Sequence, residues 1–191
     1  MNTIKLLSFT AAVIAMSLAG CKGSQAITPS ENGEVEIIEY CTGSDYNSDS
    51  KHFRATATGE SLSRETAKKM SRSNAESRLA RSISATLSIV TDNYVNSSSF
   101  NNKEEVTETF NDMARTVVEQ ELRGAIIICE KLTQKTDGAF VSYISIELSG
   151  EGIAQAYNER LSKDERIMAE YNYENFKETF EAEMNKRSET P

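Results

Sequence analysis

The 191-residue chain has no tryptophan, one histidine, two prolines and only 7% aromatic residues. Each scarcity excludes something. With His52 as the only imidazole, no cluster of His, Cys and Asp stands at metal-ligand spacing, so no metal is expected. A Ser-His-Asp hydrolase would have to use that same histidine, and no GxSxG turn accompanies it. Glycine patterns of the Walker or dinucleotide-binding kind are missing. Acidic residues abound, yet nothing in their spacing selects a pair for acid–base work. No catalytic residue and no cofactor is therefore expected, and His52 reads as a solvent-facing side chain at the start of a strand. No proline lies between Pro29 and Pro191, so nothing interrupts the helices in that interval. The core must rest on Ile, Val, Leu, Ala and Met, with some Phe and Tyr.

Basic charge is also in short supply: 21 Lys and Arg against 29 Asp and Glu, formally −8. Nucleic acid, which calls for clustered cations, is excluded on this balance. The same balance argues against adsorption to anionic headgroups. The N-terminus has a charged start (Met1–Lys5), an apolar run from Leu6 to Leu18, and then Leu18-Ala19-Gly20-Cys21. The run of about 13 residues is shorter than the roughly 20 that cross a bilayer, which fits a removable signal over residues 1–20. Small residues at Ala19 and Gly20, with leucine three places before a cysteine, resemble the lipobox of bacterial lipoproteins. That resemblance implies cleavage between Gly20 and Cys21 and lipid on Cys21. More than one acyl chain there gives stable anchoring. Residues 22–33 are small and polar, a tether. Lys22, where an aspartate can mark inner-membrane retention, leans the address towards the outer membrane, with the domain facing the periplasm or the cell surface.

Two further cysteines, Cys41 and Cys129, fall in strand-like segments of what is then an oxidising compartment. They read either as a disulfide closing a long loop or as two separate buried thiols. Val35–Cys41 is β-leaning, and His52–Thr58 alternates with Phe53, Ala55 and Ala57 on one side. Ser61 and Ser63 are good caps for a long helix to about Thr91, and Asn93–Asn102 reads as a loop. Asn102 with Glu105 opens a second helix to about Leu122. Ala125–Thr133 and Ala139–Leu148 flank Asp137-Gly138 as a hairpin. A short helix to Leu161 follows, and Ser162 with Glu165 predicts a final acidic helix to about Arg187. The fold class is α+β: a small antiparallel sheet with the long helix across it, an extra helix and a C-terminal helical extension. The expected organisation is an α+β domain over 34–161 and an acidic helix over 162–191.

The stretch Phe53-Arg54-Ala55-x-Ala57-x-Gly59 leads to a serine-capped helix with Ala67-Lys68 and Asn74-Ala75-x-x-x-Leu79-Ala80. Leu122-x-Gly124 and the Asp137–Leu148 strand come later. This ordered set resembles the LPP20-type lipoproteins, whose domain is similar to the N-terminal domain of the flagellar assembly protein FlgT. The tether and acidic tail resemble those of a Bacteroidetes version. The resemblance covers roughly 52–150 and implies a dodecin-like β-α-β-β core, membrane attachment and no catalytic residues. The expected function is that of a membrane-anchored, non-catalytic interaction or structural accessory, docking onto an envelope protein or itself. Its alternative is a binding module for a small ligand or glycan, with Arg54, Arg72 and Tyr143 as pocket candidates. Candidate partner residues are Arg64, Lys68 and Arg72 on the long helix and Tyr171, Phe176 and Phe180 near the C-terminus. Each set also reads plainly, as a solvated basic face and as core packing.

Overall fold

Residues 37 and 39–189 are described by the structure, a computed structural model. The signal, Cys21, the tether and residues 35, 36 and 38 of the first β-leaning stretch lie outside the described residues. Strand β1 (His52–Ser61) follows from its alternation, with Phe53, Ala55 and Ala57 buried on one face. It pairs antiparallel with β3 (Phe140–Ser149), which pairs antiparallel with β2 (Ile126–Gln134), so the order is β1-β3-β2. Gly138 supplies the positive φ of 90° that the β2–β3 turn needs, and Lys135 N–H donates to Ala139 O at 2.8 Å to close the loop. Among the described residues the architecture is mixed α+β, as the element order implies.

Helix α1 (Arg64–Ser97) starts where Ser63 Oγ accepts the Thr66 N–H, and it lies across the face that carries Phe53, Ala55 and Ala57. Ala67, Ala75, Leu79, Ile83, Leu87 and Val90 are buried along it. Each of the larger ones contributes roughly 2 kcal/mol of apolar burial. The approach is closest at Gly59, where a Cβ would sit 2.4 Å from Ala67 O and Ser71 N. Beside that contact the Ser71 and Ser142 hydroxyls meet at 2.8 Å, which satisfies both in a buried place. Met70, next to Ser71 on the same helix, is 43% exposed.

The remaining helices are α2 (Lys103–Glu121), α3 (Gly150–Leu161) and α4 (Tyr173–Glu189). Three sequence expectations are corrected. α1 runs through Asn93–Ser97 because Tyr94 and Val95 are buried there, and tertiary packing outweighs a polar, low-propensity run. Ser162 ends α3 rather than opening a helix; residues 165–170 are turns, and α4 starts where Asn172 Oδ1 accepts the Asn175 N–H at 3.0 Å. This shift buries Ile167 and leaves Met168 55% exposed. Cys41 lies in a turn with φ 59°, not in a strand.

The described residues from Glu39 onward fall in one compact unit. Phe176, Phe180 and Met184 of α4 belong to the same core as Phe53 and Ile146. Phe180 packs edge-on to Phe53 with centroids 6.4 Å apart. Beyond the sheet, Tyr94, Phe110, Tyr157, Tyr171 and Phe176 form a cluster of tilted and edge-to-face rings around the C-terminal half of α1. Tyr157 Oη donates to Phe110 O at 2.6 Å, and burial pushes its phenol above the ordinary range.

Candidate functional site

The face of the sheet turned away from α1 carries Arg54 and Thr56 from β1, Tyr143, Ser145 and Glu147 from β3, and Cys129 from β2. Register sets these side by side: Arg54 opposes Glu147, and Thr56 and Cys129 both oppose Ser145. Residues 39–50 run over this face as a strap. A disulfide joins Cys41 to Cys129 with Cα atoms 5.6 Å apart, across 88 residues of sequence. Thr56 Oγ1 donates to Cys41 O at 3.0 Å, which helps hold Cys41 in its left-handed conformation. Tyr40 packs edge-on to Tyr143 at 5.3 Å.

Farther along the strap sits the densest charge cluster of the domain. Arg54 Nε lies 2.6 Å from Glu147 Oε2, and its Nη1 lies 2.8 Å from Asp49 Oδ2 and donates to Asn47 O at 2.9 Å. Asp49 Oδ1 accepts the backbone N–H groups of Lys51 and His52 at 2.7 and 2.8 Å. His52 Nδ1 stands 3.2 Å from the same oxygen, and Nε2 stands 4.0 Å from Glu147 Oε1. Burial alone would raise the Asp49 carboxyl, but the Lys51 and His52 amides and the Arg54 guanidinium outweigh it and hold it below its ordinary value. Burial likewise works against the charge on Arg54, yet Glu147 and Asp49 together raise it above its ordinary value. The Asp49 carboxylate is thus held in its charged form, and Glu147 is taken up by Arg54.

The cluster is an electrostatic clamp. It fixes Asn47 and Asp49 of the strap to β1 and β3, as the disulfide fixes Cys41 to β2. His52, expected to face solvent, is half-buried within it. Two grooves flank the clamp. One, of about 480 Å³, is lined by Lys51, His52, Gly150, Tyr173, Phe180 and Glu181. The other, of about 740 Å³, is lined by Asp49, Arg54, Ser44 and Arg187. Among the described residues, no group of three or more His, Cys, Asp or Glu is placed to hold a metal ion. Every buried side-chain nitrogen or oxygen among them has a partner.

The pocket candidates Arg54, Arg72 and Tyr143 do not converge. Arg54 and Tyr143 share the strap-side face, whereas Arg72 is on α1, where it meets Glu76 at 2.5 Å and Ala125 O at 3.1 Å. Of the basic candidates, Arg64 pairs with Glu65 and Lys68 with Glu130 at 3.0 Å. Phe176 and Phe180 are buried in the core, so neither is offered to a partner. Tyr171 is partly covered and donates to Asn158 Oδ1 at 3.1 Å, with its phenol raised chiefly by burial. The clamp itself escaped sequence reasoning because Arg54 and Glu147 lie 93 residues apart, and only strand register joins them. No protein-family model matches this chain, and no curated protein matches it.

Proposed function

We propose that the protein is a lipid-anchored envelope protein, attached through Cys21, that works without catalysis as an interaction or structural accessory. The observation that carries this reading is the strap. The most ionic site of the domain is spent on fastening the segment that leads back to the proposed anchor, by a clamp and a disulfide together. A domain whose charged groups are used to hold its own tethered end suits a part that is positioned rather than one that turns over substrate. Membership in the LPP20-type class belongs to the same proposal, supported by the order β1, α1, β2, β3 with α2 inserted.

The test is crosslinking of the full-length protein in its own cells, followed by mass spectrometry of what is captured. Recovery of one envelope protein, or of a self-crosslinked oligomer, in stoichiometric yield is expected. A monomer that enriches nothing sinks the reading. The groove of about 480 Å³ favours a second one, a small-ligand or glycan module, because its size lies in the ligand-pocket range of about 300–1,000 Å³ and Lys51, Tyr173 and Glu181 offer polar and aromatic contacts. A thermal-shift screen that finds no stabilising sugar or metabolite removes it.

A further inference from the structure

We infer that the domain has a membrane-facing pole, formed by the β1–α1 junction and the β2–β3 turn, that lies on anionic phospholipid headgroups. The inference rests on the lipid-anchor reading above and adds the orientation of the domain on its membrane. Its first support is where the described strap begins on the sheet. Cys41 is bonded to Cys129, in the sheet row that includes Ser145. Tyr40 packs on Tyr143, in the row that includes Lys131 and Thr58. Going back from Cys41 to Tyr40 therefore moves one row towards the β2–β3 turn. Tyr40, at the start of the described strap, therefore sits on the half of this face nearer that turn.

Its second support is charge. Residues 58–72 and 130–139, which build this pole, hold six basic and four acidic side chains in a chain that is acidic overall. The acids there are largely taken up: Glu60 by Lys135 at 2.6 Å, Glu130 by Lys68 and Glu65 by Arg64. Lys69 and Lys131 have no ion pair among the described residues. The opposite pole is residues 98–112 and 162–176, with three basic side chains and eight acidic. It lies at the far end of α1, about 40 Å away at 1.5 Å per residue. An anionic surface attracts one end of such a molecule and repels the other, and the two effects turn it in the same sense.

The third support is apolar exposure where the charge is favourable. Leu62, between β1 and α1, is 78% exposed, and Met70 beside Gly59 is 43% exposed. An apolar side chain flanked by lysines and arginines can enter the headgroup region while the cations meet phosphate. The negative total, which argued against adsorption, is the average over two unlike poles.

Because the chain has no tryptophan, single reporters can be added at Leu62→Trp and, in the acidic pole, at the exposed Met168→Trp. Both full-length lipidated variants are reconstituted in vesicles of brominated phosphatidylcholine with phosphatidylglycerol. The expected result is several-fold stronger quenching at Leu62→Trp than at Met168→Trp, falling when salt is raised or phosphatidylglycerol is left out. Equal quenching at both positions, or none at either, overturns the pole. Quenching at Leu62→Trp that ignores both salt and phosphatidylglycerol also overturns it, because the contact would then be apolar and not with anionic headgroups. The mass of the Cys21 peptide reports the anchor separately. A peptide without acyl mass overturns the anchor and the pole together, whereas an acylated chain with equal quenching overturns the pole alone.

Discussion

β1 and β2 are the two edges of one sheet, and they are finished differently. On β1 the outward backbone groups are taken by side chains from elsewhere. Arg54 N–H donates to Ser48 Oγ at 2.9 Å, and Arg54 O accepts from the same hydroxyl at 3.2 Å. Thr56 O accepts from Arg78 Nη1 at 2.9 Å, and Thr58 O accepts from Asn74 Nδ2 at 3.0 Å. On the β2 side one carbonyl just before the strand, that of Ala125, is taken by Arg72. β2 instead has a register shift between Ile127 and Cys129, and Ile126 and Ile127 are 58% and 50% exposed. An open strand edge invites pairing with another chain. β1 meets that hazard with partners supplied by α1 and the strap, whereas β2 relies on a bulge and on the charges of Glu130, Lys131 and Lys135. The backbone groups of the sealed edge are taken by distant side chains, whereas β2 is tied to the rest of the chain through side chains, by the Cys41–Cys129 bond and the Lys68–Glu130 pair.

Four changes break or sharpen this contrast. Replacing Cys41 and Cys129 together by serine frees the strap, and closing a loop of 88 residues is worth about 4 kcal/mol on the chain-entropy account. Urea unfolding is expected to show a loss of that order; a loss near zero would mean the clamp holds the strap unaided. Gly59→Val puts carbon atoms where α1 backbone already stands. A loss of about 3 kcal/mol is expected from the displaced helix, with new concentration-dependent association as Asn74 and Arg78 withdraw from the edge. Asn74→Ala with Arg78→Ala removes the seals alone. About 1 kcal/mol for each hydrogen bond is the expected cost, and analytical ultracentrifugation should again detect association through β1. Smallest is Ile127→Lys on the open edge, expected to stay within about 0.5 kcal/mol of the parent while reducing any self-association. A much larger loss would show that Ile127 is covered by a partner.

Local signals were read from the sequence and distant ones were not. Alternation in residues 52–58, the serine cap of α1 and the Asp137-Gly138 turn each act over a few residues, and each appears at its place. The polar run Asn93–Ser97 is helical because Tyr94 is held by the rings of Phe110, Tyr171 and Phe176, which no local propensity reports. Ser162 and Glu165 have capping-box spacing, but Ser162 N–H is already bonded to Asn158 O as the end of α3, so the box could not form there. For the candidate site, the sequence marks Arg54 and Tyr143 as pocket candidates and the two cysteines as a possible bridge, but it puts His52 in solvent and does not point to Asp49 or Glu147, which only the fold joins to Arg54. Phe176 and Phe180 read either as core packing or as partner contacts, and their burial selects the first.

The disulfide also decides how the domain would bear a mechanical load. If the chain is anchored through Cys21 as proposed and held at its other end, tension entering at Cys41 passes by the covalent bond straight to Cys129 in β2. β1, α1 and α2 lie on a closed loop outside that path, so pulling cannot extend them end to end. Only the chain from Cys129 to Glu189 lies in line, and its full extension is about 210 Å, against about 520 Å if the bond were absent. With the bond intact, a chain pulled from its two ends lengthens less than half as far, and the part of the domain inside the loop keeps its covalent closure.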